Sequence, residues 1–293
     1  MTPRSFLFVP GDSPRKMAKA LASAAHALVL DLEDSVAAEQ LGAARQTVRD
    51  FLLTHPDRTR QQIWVRINPL DSGKALDDLA QVMVGIPDGL LLPKCMGAQD
   101  IERLDHYLSA LECREGIASG NTRIVSVATE TPNAMFALGS YQGISQRLAG
   151  LTWGAEDLST AMGATTNRAD DGSYIFVYQL ARNLCLLGAK AASVHPIDSV
   201  LPDFRNAEAL RAEVRRARQD GFTAKFAIHP DQVEIINAGF LPDEGEIAHA
   251  RAVVAAFREA GQAGTLQVNG KMVDKPHLTQ ALHILEAAGE STA

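Results

Sequence analysis

Cysteine is scarce. The 293 residues hold three, Cys95, Cys113 and Cys185, with no C-x-x-C pair. That argues against a disulfide scaffold or a thiolate zinc site and reads as a reduced, cytoplasmic chain. None of the eight histidines falls in H-x-H or H-x-x-x-H spacing, which speaks against a histidine zinc centre. Positive charge is in deficit, with 28 Lys and Arg against 35 Asp and Glu and a formal net charge of −7. Broad electrostatic binding of nucleic acid is therefore not expected. No apolar run is long enough to cross a bilayer, so no membrane partner is expected. The N-terminus turns polar at Gly11-Asp12-Ser13-Pro14-Arg15-Lys16, unlike a signal peptide. No G-x-G occurs, which removes the dinucleotide fingerprint, and there is no G-x-S-x-G elbow. Gly73-Lys74 and Gly270-Lys271 lack the remainder of a P-loop.

What is present is an alternation. Hydrophobic residues make up 46% and charged residues 22%, an ordinary globular balance. Short apolar runs predict strands at Ser5–Val9, Ala27–Leu30, Ile63–Ile67, Gly89–Leu92, Arg123–Val127, Leu148–Thr152, Lys190–Val194 and Lys225–Ile228. Amphipathic runs between them predict helices at Pro14–Ala24, Ala38–Leu53, about Ala75–Val84, Asp100–Leu111, from Pro132, at Tyr174–Leu187, Ala207–Gln219 and Pro230–Ala238. Eight strand–helix units in residues 1–240 predict an α/β fold, a (β/α)8 barrel whose strands are apolar on both faces. A doubly wound sheet is the competing layout. Residues 241–293 break the pattern: a helix at Glu244–Glu259, a hairpin at Leu266–Asp274 turning at Asn269-Gly270, and a helix at Pro276–Ala288. This helix–hairpin–helix extension is expected to act as a lid and subunit contact.

Barrel chemistry gathers where strands end at their C-terminal side. The predicted ends supply Asp31, Glu33 and Asp34, then Arg66, Lys94, Glu130 and Asp157. Carboxylates from different strands, without matching His or Cys, suit a hard cation such as Mg2+, which keeps most of its positions for water and substrate. Glu130 and Asp157, one βα unit apart, are the expected metal pair. Asp31 and Asp34 either hold metal-bound waters or cap a solvated acidic loop. Glu33 is expected to be a solvated loop acid. Arg66 interrupts an apolar strand, so its guanidinium meets either a substrate anion or a structural partner, Asp31 or Glu33. Pro93-Lys94 at a strand end keeps a Schiff-base lysine open as an alternative. His195 and His229 are read as ending strands, each followed by Pro, and are expected to pack at the core or rim, with His229 facing the site as the alternative.

A set of motifs occurs in fixed order. It runs Arg4–Asp12 (RSFLFVPGD), Val29–Val36 (VLDLEDSV), Val65–Asn68 (VRIN), Glu130-Thr131, Trp153–Leu158 (WGAEDL), Ile228–Gln232 (IHPDQ) and Gly270–Pro276 (GKMVDKP). On these the chain resembles the citrate lyase β-subunit-like proteins of the HpcH/HpaI aldolase superfamily, relatives of malyl-CoA and citramalyl-CoA lyases. The resemblance covers nearly the whole chain. It implies a TIM barrel, Mg2+ on Glu130 and Asp157, and Arg66 as the catalytic, substrate-anion residue. It further implies a homo-oligomer, a trimer or hexamer, in which Asp274 of one subunit reaches a neighbour's site as catalytic acid or base. Arg15 and Lys16 lie where the relatives receive CoA phosphates. The implied activity is a Mg2+-dependent retro-Claisen cleavage of a 3-hydroxyacyl thioester, on CoA or acyl carrier protein, to a 2-oxo acid and an acyl thioester. A thioesterase, a pyruvate-type aldolase and a non-catalytic subunit of a lyase complex are the alternatives. His195-Pro196 and Leu201–Asn206 depart from the relatives, which bears on the substrate rather than on the fold.

Overall fold

The computed structural model describes residues 2–261 and 264–290. Two compact units divide the chain, Met1–Asn237 and Ala238–Ala293. In the first, β1 (Ser5–Pro10), β2 (Ala27–Asp31), β3 (Gln62–Arg66), β4 (Gly89–Leu92), β5 (Arg123–Val127), β6 (Leu148–Thr152), β7 (His195–Asp198) and β8 (Ala224–Ala227) pair in sequence order. All pairings are parallel, and β8 returns to β1 through Ser5↔Lys225 and Leu7↔Ala227 to close a barrel. The fold is thus the eight-stranded α/β barrel that the alternation predicts.

Side-chain parity explains the core. Phe6, Ala27, Val29, Trp64, Leu91, Val125, Val127, Ile197 and Phe226 form one buried cluster inside the barrel. Leu28, Leu30 and Leu90 alternate outward and are fully buried as well. A strand buried on both faces reads as a continuous apolar run, because parallel strands are covered on both sides. Each such leucine contributes about 1.5–3 kcal/mol by leaving water. The connecting helices are α1 (Pro14–Leu21), α2 (Leu41–Thr54), α3 (Ala75–Val82), α4 (Ala98–Glu115), α5 (Pro132–Met135), α6 (Ala155–Met162), α7 (Phe176–Ala191), α8 (Ala207–Asp220) and α9 (Val233–Gly239).

Three elements differ from expectation. The seventh strand is not Lys190–Val194 but His195–Asp198. The alanine-rich run continues α7 to Ala191, and the Val194 N–H still bonds back to the Ala189 carbonyl at 2.9 Å. Ser193, at φ 56°, then turns the chain out of the helix. Gly150 makes room for the strand that follows, since a Cβ there would sit 2.8 Å from the His195 carbonyl oxygen. The helix from Pro132 stops after one turn at Met135. In its place α6 follows β6 directly, an element the sequence reading omitted.

The second unit holds α10 (Glu244–Ala260), β9 (Thr265–Val268), β10 (Lys271–Asp274) and α11 (Lys275–Ala287). Asp243 caps α10 by accepting from the Glu246 N–H at 2.8 Å. Asn269 and Gly270, at φ 52° and 77°, make the left-handed turn that an Asn-Gly hairpin requires. Val253, Phe257, Val273 and Leu285 anchor a separate small core.

Candidate metal and substrate site

The C-terminal mouth of the barrel opens on a cavity of about 440 Å³. Asp31, Asp34, Arg66, Glu130 and Asp157 all line it, with Phe8, Leu91, Val127, Trp153 and Phe226 as apolar wall. The strand period places them. Ala27 and Val29 point inward, so Asp31 does too, and Trp64 brings Arg66 with it. Asp31 and Arg66 are register partners at the ends of β2 and β3.

Arg66 is gripped bidentately. Nε donates to Asp31 Oδ1 at 2.6 Å and Nη2 to Asp31 Oδ2 at 2.7 Å. Nη1 lies 3.0 Å from Glu33 Oε2 and 3.3 Å from Asp34 Oδ2. The guanidinium carbon sits 5.0 Å from the Phe8 ring centroid. Burial disfavours the charge, but these carboxylates more than offset it and hold Arg66 above its ordinary pKa. Asp31 is correspondingly held low: burial opposes this, and the Arg66 fork, the Ser35 side chain and the Glu33 N–H overcome it. Arg66 therefore has the structural partner foreseen for it and lines the cavity as well.

Lys94 ties the acids together. Its backbone lies in the left-handed region at φ 50°, a conformation that costs a non-glycine residue about 1–3 kcal/mol and clusters at functional sites. In this pose its N–H donates to Glu130 Oε2 at 2.5 Å. Its ammonium reaches Glu33 Oε1 at 2.5 Å and Asp157 Oδ1 at 3.4 Å. The amine is an ion-paired cation, which does not suit imine formation. Glu33 is not a solvated loop acid, as expected, but 8% exposed and paired with both Lys94 and Arg66. Its parity with Asp31, two residues on, was the signal available in the sequence.

Glu130 follows β5 and is 5% exposed. Burial pushes its carboxyl up to about 8, with Asp157 and Glu33 adding repulsion and the Lys94 N–H opposing. A carboxylate so disfavoured alone is one that a cation would stabilise. Asp157 stands in the first turn of α6, half open to solvent. Between them Gly154 lies so close that a Cβ would be 3.0 Å from Glu130 Cγ and 3.3 Å from Oε1. Glycine here leaves the space beside the carboxylate free. Among the described residues no cluster of three or more His, Cys, Asp or Glu forms a metal cage. Two carboxylates with room beside them fit Mg2+, which needs one or two and takes the rest from water and substrate.

The other expected residues fall elsewhere. Arg15 and Lys16 are exposed on the first turn of α1 and do not line the cavity. Asp274 lies in the second unit, where it caps α11 and its Oδ1 lies 2.5 Å from His277 Nδ1, a contact that lowers its pKa. His195 opens β7 rather than ending a strand. His229 caps the turn after β8 and stacks on Phe204 with centroids 4.6 Å apart. Asp198 ends β7 in a buried ion cluster.

Residues 4–230 match the HpcH/HpaI aldolase/citrate lyase family. The chain belongs to that family. Its sequence is 32% identical to the citrate lyase subunit beta of Haemophilus influenzae, over 97% of this chain and 96% of that one. It is 34% identical to a (3S)-malyl-CoA thioesterase of Cereibacter sphaeroides, over 97% and 94%. The CitE protein of Mycobacterium tuberculosis, solved with magnesium, acetoacetate and coenzyme A, superposes with a TM-score of 0.82 at 33% identity and 98% coverage of both chains. Family members of similar identity thus include both lyase subunits and a thioesterase. Among the described residues of this member, no helix is long and apolar enough to cross a membrane.

Proposed function

We propose that this chain is a Mg2+-dependent carbon–carbon lyase that cleaves a 3-hydroxyacyl thioester to a 2-oxo acid and an acyl thioester. The observation that carries the reading is the convergence of Glu130, Asp157 and Arg66 on one barrel mouth. The magnesium and coenzyme A bound by the CitE relative support it. Glu130 and Asp157 would hold the ion, with Asp31 and Asp34 oriented toward its waters. Bound there, Mg2+ supplies Lewis acidity and a template for a chelating hydroxy acid. The chain's own groups do the rest. Arg66, locked by Asp31, presents a fixed guanidinium to the enolate oxygen of the departing thioester. Phe8, Leu91, Val127 and Phe226 keep water from that fragment. Asp274, acting from a neighbouring copy in a trimer or hexamer, is assigned proton exchange at the enolate carbon, and Arg15 and Lys16 the CoA phosphates. The free cysteines Cys95, Cys113 and Cys185 agree with a cytoplasmic setting.

Hydrolysis of a malyl-CoA-like thioester at the same residues is the second reading, favoured by the thioesterase relative. Malyl-CoA, citramalyl-CoA and citryl-CoA assayed with Mg2+ for both products separate the two. A lyase yields 2-oxo acid without free thiol, and a thioesterase yields free thiol alone. Glu130→Ala and Asp157→Ala should each abolish Mg2+ binding and turnover in a folded chain. Normal turnover by either variant after EDTA treatment rejects the metal pair.

A further inference from the structure

Trp153 separates two cavities of the barrel unit. It lines the mouth, and it also lines a second cavity of about 310 Å³ together with Arg168, Tyr174, Arg182, Asp198, Glu213 and Lys225. Parity places that second space outside the barrel. Ile197, Ala224 and Phe226 fill the interior, so Asp198 and Lys225 point outward.

The indole N–H of Trp153 donates to Asp198 Oδ1 at 2.8 Å. Asp198 is 3% exposed and is itself fixed, by Lys225 Nζ at 3.0 Å and Arg182 Nε at 3.1 Å. Burial opposes its charge, but the two cations and the indole hold the carboxyl below its ordinary range. Tyr174 meets the Trp153 ring edge-on, centroids 5.0 Å apart. On the inner side, the next residue is clamped as well: the Gly154 N–H donates to Thr129 Oγ1 at 3.1 Å. Gly154 then abuts Glu130, and three residues later α6 presents Asp157.

We infer that Asp198 is a positioning residue which, through the Trp153 indole, fixes the Gly154–Asp157 turn against Glu130 and so sets the affinity of the site for Mg2+. This rests on the metal reading above. A purely structural ion cluster would stabilise the barrel without touching that affinity. The substitutions needed are mild. Trp153→Phe keeps an aromatic ring, loses the indole donor and gives up some buried volume. Asp198→Asn leaves Lys225 with Glu213 at 3.1 Å and Arg182 with Asp220 at 2.6 Å.

The test is calorimetric titration of Mg2+ into the full chain, as wild type, Trp153→Phe, Asp198→Asn and the double variant. Each single change should weaken binding about tenfold, the lower end for groups that orient metal ligands. The double variant should be no weaker than the worse single one, because both act through one contact. A metal-free readout accompanies it. In a Trp64→Phe chain Trp153 is the sole tryptophan, and Asp198→Asn should shift its emission maximum. Mg2+ affinity within twofold of wild type in folded Trp153→Phe, or additive losses in the double variant, overturns the inference. If Asp198→Asn fails to fold, Trp153→Phe still decides, since it leaves the ion cluster intact. A wild type that binds no Mg2+ overturns the metal reading, and this inference with it; failure in the variants alone overturns only the inference.

Discussion

Gly154→Ala is a narrow probe of the metal site. The residue takes φ −132° and ψ 125°, extended backbone that alanine adopts freely. The added methyl would lie 3.0 Å from Glu130 Cγ, 3.3 Å from Oε1 and 3.5 Å from Val127 Cγ1. Carbon atoms prefer about 3.5–4.0 Å, so Glu130 must yield by a few tenths of an ångström. Overpacking of this kind costs about 1–3 kcal/mol, and the stiffer unfolded chain returns about 0.4–1 kcal/mol. The fold should therefore survive. Mg2+ binding should not survive intact, because the carboxylate that moves is the one assigned to the ion and is already tethered by Lys94. A tenfold loss of affinity is the expectation, about 1.4 kcal/mol. At a Mg2+ concentration 100 times the wild-type Kd, binding stabilises the native state by about 2.7 kcal/mol, and a tenfold weaker site by about 1.4 kcal/mol. The Mg2+-induced rise in melting temperature should shrink by roughly 2–3 °C in scanning calorimetry. A folded Gly154→Ala chain with unaltered Mg2+ affinity would refute the placement of the ion beside Glu130.

Arg66→Lys keeps a charge and loses the two-pronged grip on Asp31. It should lower kcat/KM by roughly 10²–10³, with the loss mainly in kcat, as expected for a group that stabilises developing charge; a change confined to KM would reduce Arg66 to a substrate tether. Far from the mouth, Glu112 receives Arg147 Nη1 and Nη2 at 2.7 Å each. Burial opposes its charge, but Arg147 and the Thr122 and Gly120 N–H groups hold its carboxyl below the usual range. Because the folded pKa is depressed, this stabilisation is present above the unfolded value of 4.5 and is lost as pH falls through the folded one. Glu112→Gln should thus cost about 1–3 kcal/mol at pH 7 in urea titrations, and the gap to wild type should close on acidification below 4.5. A gap that does not vary with pH would show that the ion pair is not its source.

The barrel was legible because strands buried on both faces, such as Gly89–Leu92 and Leu148–Thr152, alternate with helices eight times, and no G-x-G favours the doubly wound sheet. The seventh strand was not. Lys190–Val194 is alanine-rich and continues a helix, whereas the true strand carries Pro196, a residue that weakens any strand signal. The charged rim was legible by position, since Asp31, Arg66 and Asp157 follow or end apolar runs. The roles of Glu33 and Lys94 were not, because a left-handed lysine that gathers acids from beyond three different strands is a tertiary fact with no local signature. Asp198 escaped for the same reason as its strand: with the strand expected at Lys190–Val194, Asp198 lay outside it and its outward direction could not be assigned.

The closure of β8 on β1 governs when this mouth can exist during synthesis. Phe8 and Phe226 stack with centroids 5.0 Å apart, although they are 218 positions apart in the chain. The first and last staves of the cylinder share one wall of the cavity, and β1 lacks the second of its two neighbours until β8 is made. A nascent chain halted anywhere before Ile228 exposes an open sheet edge and an unfinished pocket. The synthesis of β8, rather than any earlier local folding step, is the earliest moment at which the acids and Arg66 can face one enclosed space.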